Sequence, residues 1–470
     1  MHAERPCLSS PRPDGRARLL ALRPLAAGIA LALAPLLAQA QSLEALYDAA
    51  RNYDATYLAA RSQAAAAEYR LAQSGALRLP TANLIASSTR NGTDVSGGPV
   101  TLATPTGDAR GYGTTNLATL SARQPIYNRA NGEAISQAEK AYEIATADLE
   151  TAEQDLIVRL AQAYFDVLAS QDSLNTVVAN MKAITEQLAS AKRNFEVGTA
   201  TITDTREAQA RFDLVTAQEI AGQNDLSSKR AALDTLVGSS GVAPKPLAIP
   251  VVIPALVRAD VDDWLSGADA DSPAVRKARL AYDIAQIETD KARSGHLPTL
   301  DLVGTIGTNH NNGISGAGTG SGTLPGLYKN ASIGLQLNLP VFAGFAVQNR
   351  VKEALELAEK SRSELEGTRR TVALGTRTAF VGVQSGKALV KALEAAESSS
   401  QLALEATQLG YKVGVRVTLD VLNAQTQLYT TQRDLAKARY DLVLGSLKLR
   451  QAAGQLKPDD VSAANQLLAK

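Results

Sequence analysis

Phe195-Glu-Val-Gly198, with Asp204 six residues beyond the glycine, returns 216 positions later as Tyr411-Lys-Val-Gly414 with Asp420. Working outward, Ala163-Tyr-Phe-Asp-Val167 pairs with Ala379-Phe-Val-Gly-Val383, and Gln124-Pro-Ile-Tyr127 with Leu339-Pro-Val-Phe342. Still further out, Ser74-Gly75 and Leu79-Pro-Thr81 pair with Ser294-Gly295 and Leu297-Pro-Thr299. Each half therefore reads helix, strand, loop, strand, very long helix, tight turn, helix. The expected organisation is a first repeat over 41–238, a proline-rich linker over 239–258 (Pro244, Pro246, Pro250, Pro254), a second repeat over 259–453 and a tail over 454–470.

The long helices carry a heptad seam. From Ile135 apolar or small residues recur at steps of three and four through Leu149, Leu156, Leu160, Val167, Ile184 and Leu188 to Phe195, with one extra step of four between Leu156 and Leu160. Such a stutter locally unwinds a coiled coil. No proline or glycine interrupts 133–197, which at 1.5 Å per residue predicts a helix about 100 Å long. Flanking helices are expected over 43–74 and 200–237. The second copy, around 347–410, has a more polar seam (Ser361, Thr368, Thr376, Glu397, Ser400, Thr407), so one of its faces should meet water or a polar partner. Val197-Gly198 and Val413-Gly414 end the two long helices, because glycine supplies the left-handed residue that terminates a helix and opens a turn. The result is two helical hairpins whose tips lie at one end.

Between helices lie four stretches of period two, at about 81–90, 114–126, 299–309 and 331–342. In the last, Ile333, Leu335, Leu337, Leu339 and Val341 alternate with Ser332, Gly334, Gln336, Asn338 and Pro340. Roughly ten such residues match a tilted membrane-spanning strand. Tyr127, Phe342 and Phe345 sit where strands end, as an aromatic girdle does. The loops at about 90–113 and 308–330 are rich in Gly, Ser, Thr and Asn; Gly316-Ala-Gly-Thr-Gly-Ser-Gly322 lacks the following helix and Gly-Lys-Ser of a phosphate loop. A soluble antiparallel sheet has the same alternation, but four strands leave two edges that lipid does not tolerate. If the sheet enters a membrane, several copies must share one barrel, since eight strands is the usual minimum.

Residues 1–40 read as an export signal: five arginines, an apolar run from Leu25 to Leu37, and Ala38-Gln39-Ala40 as a cleavage site. Cys7, the one cysteine, lies inside it, so from Gln41 onward neither disulfides nor thiolate metal sites are expected. Without residues 1–40 the chain carries 43 Lys+Arg against 45 Asp+Glu, which lacks the basic excess of a nucleic-acid binder. Outside that signal the chain holds two histidines, His296 and His310, and no convergent acid–base set, so neither enzyme activity nor a cofactor is expected.

Gly410-Tyr-Lys-Val-Gly-Val-Arg-Val-Thr-Leu-Asp-Val-Leu-Asn-Ala424, Gly295-His-Leu-Pro-Thr-Leu-Asp-Leu302 and Arg433-Asp-Leu-Ala-Lys-Ala-Arg-Tyr440 resemble the TolC family of outer-membrane efflux ducts. The resemblance implies an α+β membrane protein of a Gram-negative bacterium, a homotrimer sharing a 12-stranded β-barrel in outer-membrane lipid, continued by a periplasmic α-helical barrel. It implies passive export of drugs or secreted proteins, driven by an inner-membrane pump of ABC or RND type through a periplasmic adaptor (membrane fusion protein). The matching positions of the periplasmic aperture are Thr203, Asp204, Tyr411 and Arg416, with Tyr411 and Arg416 expected to reach carboxylates such as Asp204 by hydrogen bonds. Val197, Gly198, Val413 and Gly414 would be the tips that meet the adaptor. Asp420 matches the family's constriction aspartate; the second position, one turn on, is Asn423 here, so cation affinity at the ring should be weaker. A structural coiled coil of the periplasm, such as an adaptor without channel activity, is the alternative; one long hairpin and a lipoyl-like domain would mark it, and this chain shows two hairpins.

Overall fold

The computed structural model describes residues 41–96, 108–248, 260–312 and 326–469. The expected signal at 1–40, the Gly-rich stretch 316–322 and the linker residues 249–259 lie outside them. The first half contains α1 (Leu43–Tyr53), α2 (Ala55–Gly75), β1 (Thr81–Ser96), β2 (Asp108–Tyr127), α3 (Arg129–Glu196) and α4 (Ile202–Val237). The second contains α5 (Val261–Asp271), α6 (Pro273–Arg293), β3 (Thr299–Asn311), β4 (Gly326–Asn338), α7 (Ala346–Lys412) and α8 (Thr418–Ala452), and α9 (Pro458–Asn465) forms the tail.

The strands form one antiparallel sheet in the order β1-β2-β3-β4, so β2 and β3 join the two halves. Register settles its two faces. Leu84 pairs with Leu120, Leu120 with Ile306, Leu302 with Leu335 and Leu300 with Leu337, and alternation places all of these on one face. Ile333 on that face is 81% exposed and Leu84 71%, a contiguous apolar surface of the kind that marks a protein-contact or membrane face. The opposite face is polar: Arg123 donates to Asp301 at 2.6 Å, and the hydroxyls of Thr305 and Ser332 lie 2.7 Å apart. Among the described residues β1 and β4 are edges without a partner strand.

Strand ends differ from the sequence reading. β2 begins at Asp108 rather than 114, and β4 ends at Asn338 instead of running to 342. The physical reason at β4 is its neighbour: Asn338 pairs with Thr299, the first residue of β3, so 339–342 have nothing to bond, and Pro340 has no N–H to offer. The expected single helix over 43–74 is likewise two helices. Asp54 breaks it, accepting from the Tyr57 N–H at 2.8 Å as the N-cap of α2.

α3 is a continuous helix of 68 residues. Next to the sheet the helices lie in the order α2-α3-α6-α7, and farther away α4-α3-α8-α7. One side of this layer is thus edged by α2 and α4, the other by α7, continuing the sheet edges β1 and β4. The seam read from sequence is buried at Leu156, Leu160, Val167, Ile184 and Leu188, whereas Phe195 at its end is 43% exposed. Thr376, expected on a wet seam of α7, is fully buried and donates to the Ala452 carbonyl at 3.1 Å, because α8 covers it there.

The main core lies at mid-length, where α1, the end of α4 and α9 pack on α3 and α8. Tyr164 and Phe165 meet edge to face, and Phe165 stacks on Tyr440 at 5.9 Å between centroids. The Tyr164 hydroxyl donates to the Lys245 carbonyl at 2.9 Å, pinning the start of the linker to α3. Trp264 of α5, the chain's one tryptophan, seats on α7 and α8 beside Phe380, Val383 and Leu449. These small helices cover one face of the layer. Positions on the far side of α3 and α8 pair instead through polar groups: Gln451 donates to Asp155 at 2.7 Å and Lys448 to Gln162 at 3.0 Å.

Arg159 of α3 grips Asp54 with two bonds, each 2.9 Å. That grip, with the backbone N–H of Tyr57, holds the Asp54 carboxyl below its usual range. Because the folded value is depressed, the stabilisation is present above the unfolded pKa of about 3.9 and is lost as pH falls through the folded value. Asp54→Asn is expected to lower stability by about 1–3 kcal/mol at neutral pH, losing the charged pair while keeping a capping oxygen. Unfolding midpoints taken from pH 7 downward check this: the wild-type advantage should shrink below about pH 4, and a constant difference would refute the assignment.

Candidate functional site at the hairpin tips

Both long helices end in the same way. In the first tip Val197 N–H donates to the Arg193 carbonyl, Gly198 to Phe195, and Thr199 and Ala200 to Asn194. In the second, Val413 donates to Leu409, Gly414 to Tyr411, and Val415 and Arg416 to Gly410. Gly198 and Gly414 take φ of 79° and 81°, the left-handed conformation that a side chain disfavours. The valines they separate from solvent-facing turns are bare: Val197 is 72% and Val413 67% exposed.

The two tips differ where side chains meet. Position 194 is asparagine, and its amide donates to the Tyr411 hydroxyl at 3.2 Å, linking the tips of α3 and α7. The equivalent position 410 is glycine. A Cβ there would sit 2.8 Å from Cγ of Arg416, so the missing side chain is what lets Arg416 lie across the end of α7.

Asp204 and Asp420 are equivalent and do the same local work at the third position of a helix. Asp204 accepts from the Thr201 N–H at 2.9 Å and hydroxyl at 2.7 Å, and its own N–H donates back to Thr201, a complete capping box. Asp420 accepts from the Val417 N–H at 3.4 Å; Val417 has no hydroxyl to complete the box, and Arg416 closes on the carboxylate at 3.6 Å instead. The expected bond from Tyr411 to Asp204 therefore does not form within the protomer: Tyr411 is met by Asn194, Asp204 by Thr201, and Arg416 by Asp420. The cause is local, since a carboxylate at the start of a helix finds free N–H groups before any distant donor. Thr203 is exposed in the first turn of α4.

Asn423 accepts from the guanidinium of Arg211 in α4 at 2.9 Å. Arg211 escaped the sequence reading, as did Asn194. Position 194 could have been found, being the residue that departs from its glycine equivalent in the repeat; nothing in the sequence marks Arg211. Far from the tips, Tyr127 ends β2, and Phe342 and Phe345 follow β4 with their rings edge to face at 5.6 Å. They are 46%, 76% and 62% exposed, at the junction of sheet and helices.

Residues 46–239 and 264–455 match the sequence model of a family described as outer membrane efflux protein. An outer membrane protein TolC of Vibrio cholerae is 32% identical over 445 residues, covering 94% of this chain and 98% of that protein. The alkaline protease secretion protein AprF of Pseudomonas aeruginosa is 32% identical over 362 residues, or 74% of this chain and 72% of AprF. Among solved structures, the outer membrane protein VceC of Vibrio cholerae superposes with a TM-score of 0.70 at 23% identity, covering 88% of this chain and 96% of that one. At that identity the likeness speaks for the fold alone.

Proposed function

The chain belongs to the outer membrane efflux protein family, and we propose that it is the outer-membrane exit duct of a tripartite export system. The observation that carries this is the sheet: one apolar face, one polar face, and two unpaired edges that continue into unpaired helix edges. Three copies joined β4 to β1 would close a 12-stranded barrel with the apolar face toward lipid and Arg123, Asp301 and Thr305 toward the passage. The same operation joins α7 of one copy to α2 and α4 of the next, extending the passage as a helical barrel into the periplasm.

In that arrangement α1, α5 and α9 band the outside at mid-length, and Asp155, Gln162, Lys448 and Gln451 line the inside. The tips close the periplasmic end. Asp204, Thr203, Tyr411 and Arg416 face one another across copies there, and Val197, Gly198, Val413 and Gly414 meet the adaptor. Transport is passive; energy comes from an ABC or RND pump in the inner membrane. Relatives named for protease secretion and for efflux support a cargo range that includes proteins and small molecules. The coiled-coil adaptor alternative is favoured by none of these relatives.

Purified oligomer in a planar bilayer should give discrete channels of small conductance. Arg416 beside Asp420 and the neutral Asn423 leave few free carboxylates on the axis, so millimolar trivalent cations should reduce the current only weakly. A folded oligomer that never conducts would remove the duct reading; tight block by such cations, relieved by Asp420→Ala, would show the ring to be more acidic than proposed.

A further inference from the structure

The seam between the two halves changes character along its length. On the core side of Asp172, whose carboxylate takes the Tyr440 hydroxyl at 2.6 Å, α3 and α8 meet through Phe165, Leu168, Val443, Leu444 and Leu447. Toward the tips the same two helices bury Asn180, Gln425 and Thr431. The side-chain oxygens of Asn180 and Gln425 are buried there without a hydrogen-bond partner, so wetting this stretch of seam would relieve a cost rather than add one.

Besides the polar links of Asn194 to Tyr411, Arg211 to Asn423 and Tyr429 to the Ala179 carbonyl, one buried apolar side chain of the second hairpin seats in the first on the tip side. Leu422 of α8 is 1% exposed, and its cluster is not that of its own hairpin: it packs among Ile184, Leu188 and Ala191 of α3 and Ala208 and Val215 of α4. Its neighbour Val421 points the other way, into the second hairpin's own cluster with Leu404 and Leu428. The small side chains of Ala191 and Ala208, 2% and 0% exposed, leave the notch that Leu422 fills. The next residue, Asn423, is tied to the rim of that notch by Arg211.

We propose that Leu422 is a latch, a peg of the second hairpin seated between the two helices of the first, and that its release lets the hairpins part on the tip side of the Asp172–Tyr440 bond. This rests on the duct reading above and adds to it a closing contact that carries no charge. Polar links at exposed tips weaken as salt rises; a buried leucine does not, so the latch keeps the passage narrow at high ionic strength.

The test compares single-channel conductance of wild type, Leu422→Ala and Leu435→Ala. Leu435→Ala removes the same atoms from the second hairpin's own core, where Leu435 is buried among α5, α7 and α8 residues away from the tips. Leu422→Ala should shift the closed-to-open balance about tenfold or more toward open, in low and in high salt alike, while Leu435→Ala leaves conductance near wild type. Equal conductance of Leu422→Ala and wild type, or equal increases in both variants, overturns the latch; absence of channels from wild type overturns the duct reading itself. Because the export signal holds the one native cysteine, Arg211→Cys/Asn423→Cys can be bridged with a short bismaleimide after folding. The bridged protein should stay in its narrow state even with Tyr411→Phe/Arg416→Ser added, and opening of the bridged protein would overturn the proposal independently of how Leu422→Ala folds.

Discussion

Tyr164→Ala is expected to cost the protomer about 3–5 kcal/mol. Its ring is fully buried in the main core, it supports Phe165 edge to face, and its hydroxyl donates to Lys245 at 2.9 Å. Truncation opens a cavity in α3 and frees the linker, so the two losses fall on one residue. Tyr164→Phe isolates the hydrogen bond and should cost about 1 kcal/mol, or somewhat more because the Lys245 carbonyl is left unpaired. Burial pushes the Tyr164 phenol above its usual range. With a raised folded value the contribution is fully present below the unfolded pKa of about 10 and declines as pH rises beyond it. Denaturant unfolding of the purified protein measures both variants. A loss in Tyr164→Ala no larger than that in Tyr164→Phe would mean that the core closes without the ring and that the linker is anchored elsewhere.

The largest functional effect is expected at the tips. Tyr411→Phe removes the hydroxyl that accepts from Asn194; Arg416→Ser removes the cation that lies against Asp420 and across the missing side chain of Gly410. The Arg416–Asp420 pair is exposed and the Asn194–Tyr411 bond part-buried, each worth about a kcal/mol, so either change alone should do little. Repeated in each copy of the proposed trimer, the sum becomes several kcal/mol, enough to convert a mostly closed aperture into a mostly open one. The double variant should therefore conduct several-fold more than wild type in a planar bilayer, with an unchanged far-UV spectrum. Equal conductance from both would leave the duct intact and show that these two side chains do not close it. Salt offers a second reading: screening weakens the Arg416–Asp420 pair of wild type, so the difference should narrow in part, while the neutral Asn194–Tyr411 bond and the Leu422 contact keep wild type the narrower of the two.

Much of the fold was legible because it is periodic. Heptad spacing without proline or glycine predicts a long α3, and period two in 332–338 predicts β4 and its two faces. The repeat places Gly198 and Gly414 at equivalent turns, since a left-handed residue there strains any L side chain even though the space around it is open. Family membership came from short motifs in order, which a sequence carries complete.

Tertiary structure decided what periodicity does not encode. Strand ends depend on the neighbour: β4 stops at Asn338 because β3 starts at Thr299, a fact absent from either segment alone. Thr376 reads as a wet position but is dry because α8 lies over it. Partner choice at the tips is likewise set in space. Asp204 and Asp420 read from sequence as aperture and constriction carboxylates, and within the protomer the nearer N–H groups take them. Arg211 is one arginine among many until α4 brings it to Asn423. Leu422 and Val421 are adjacent and chemically alike, yet one belongs to the first hairpin and the other to the second. Sequence fixes that both are apolar; the packing of four helices decides which way each one points, because burial is shared among elements far apart in the chain.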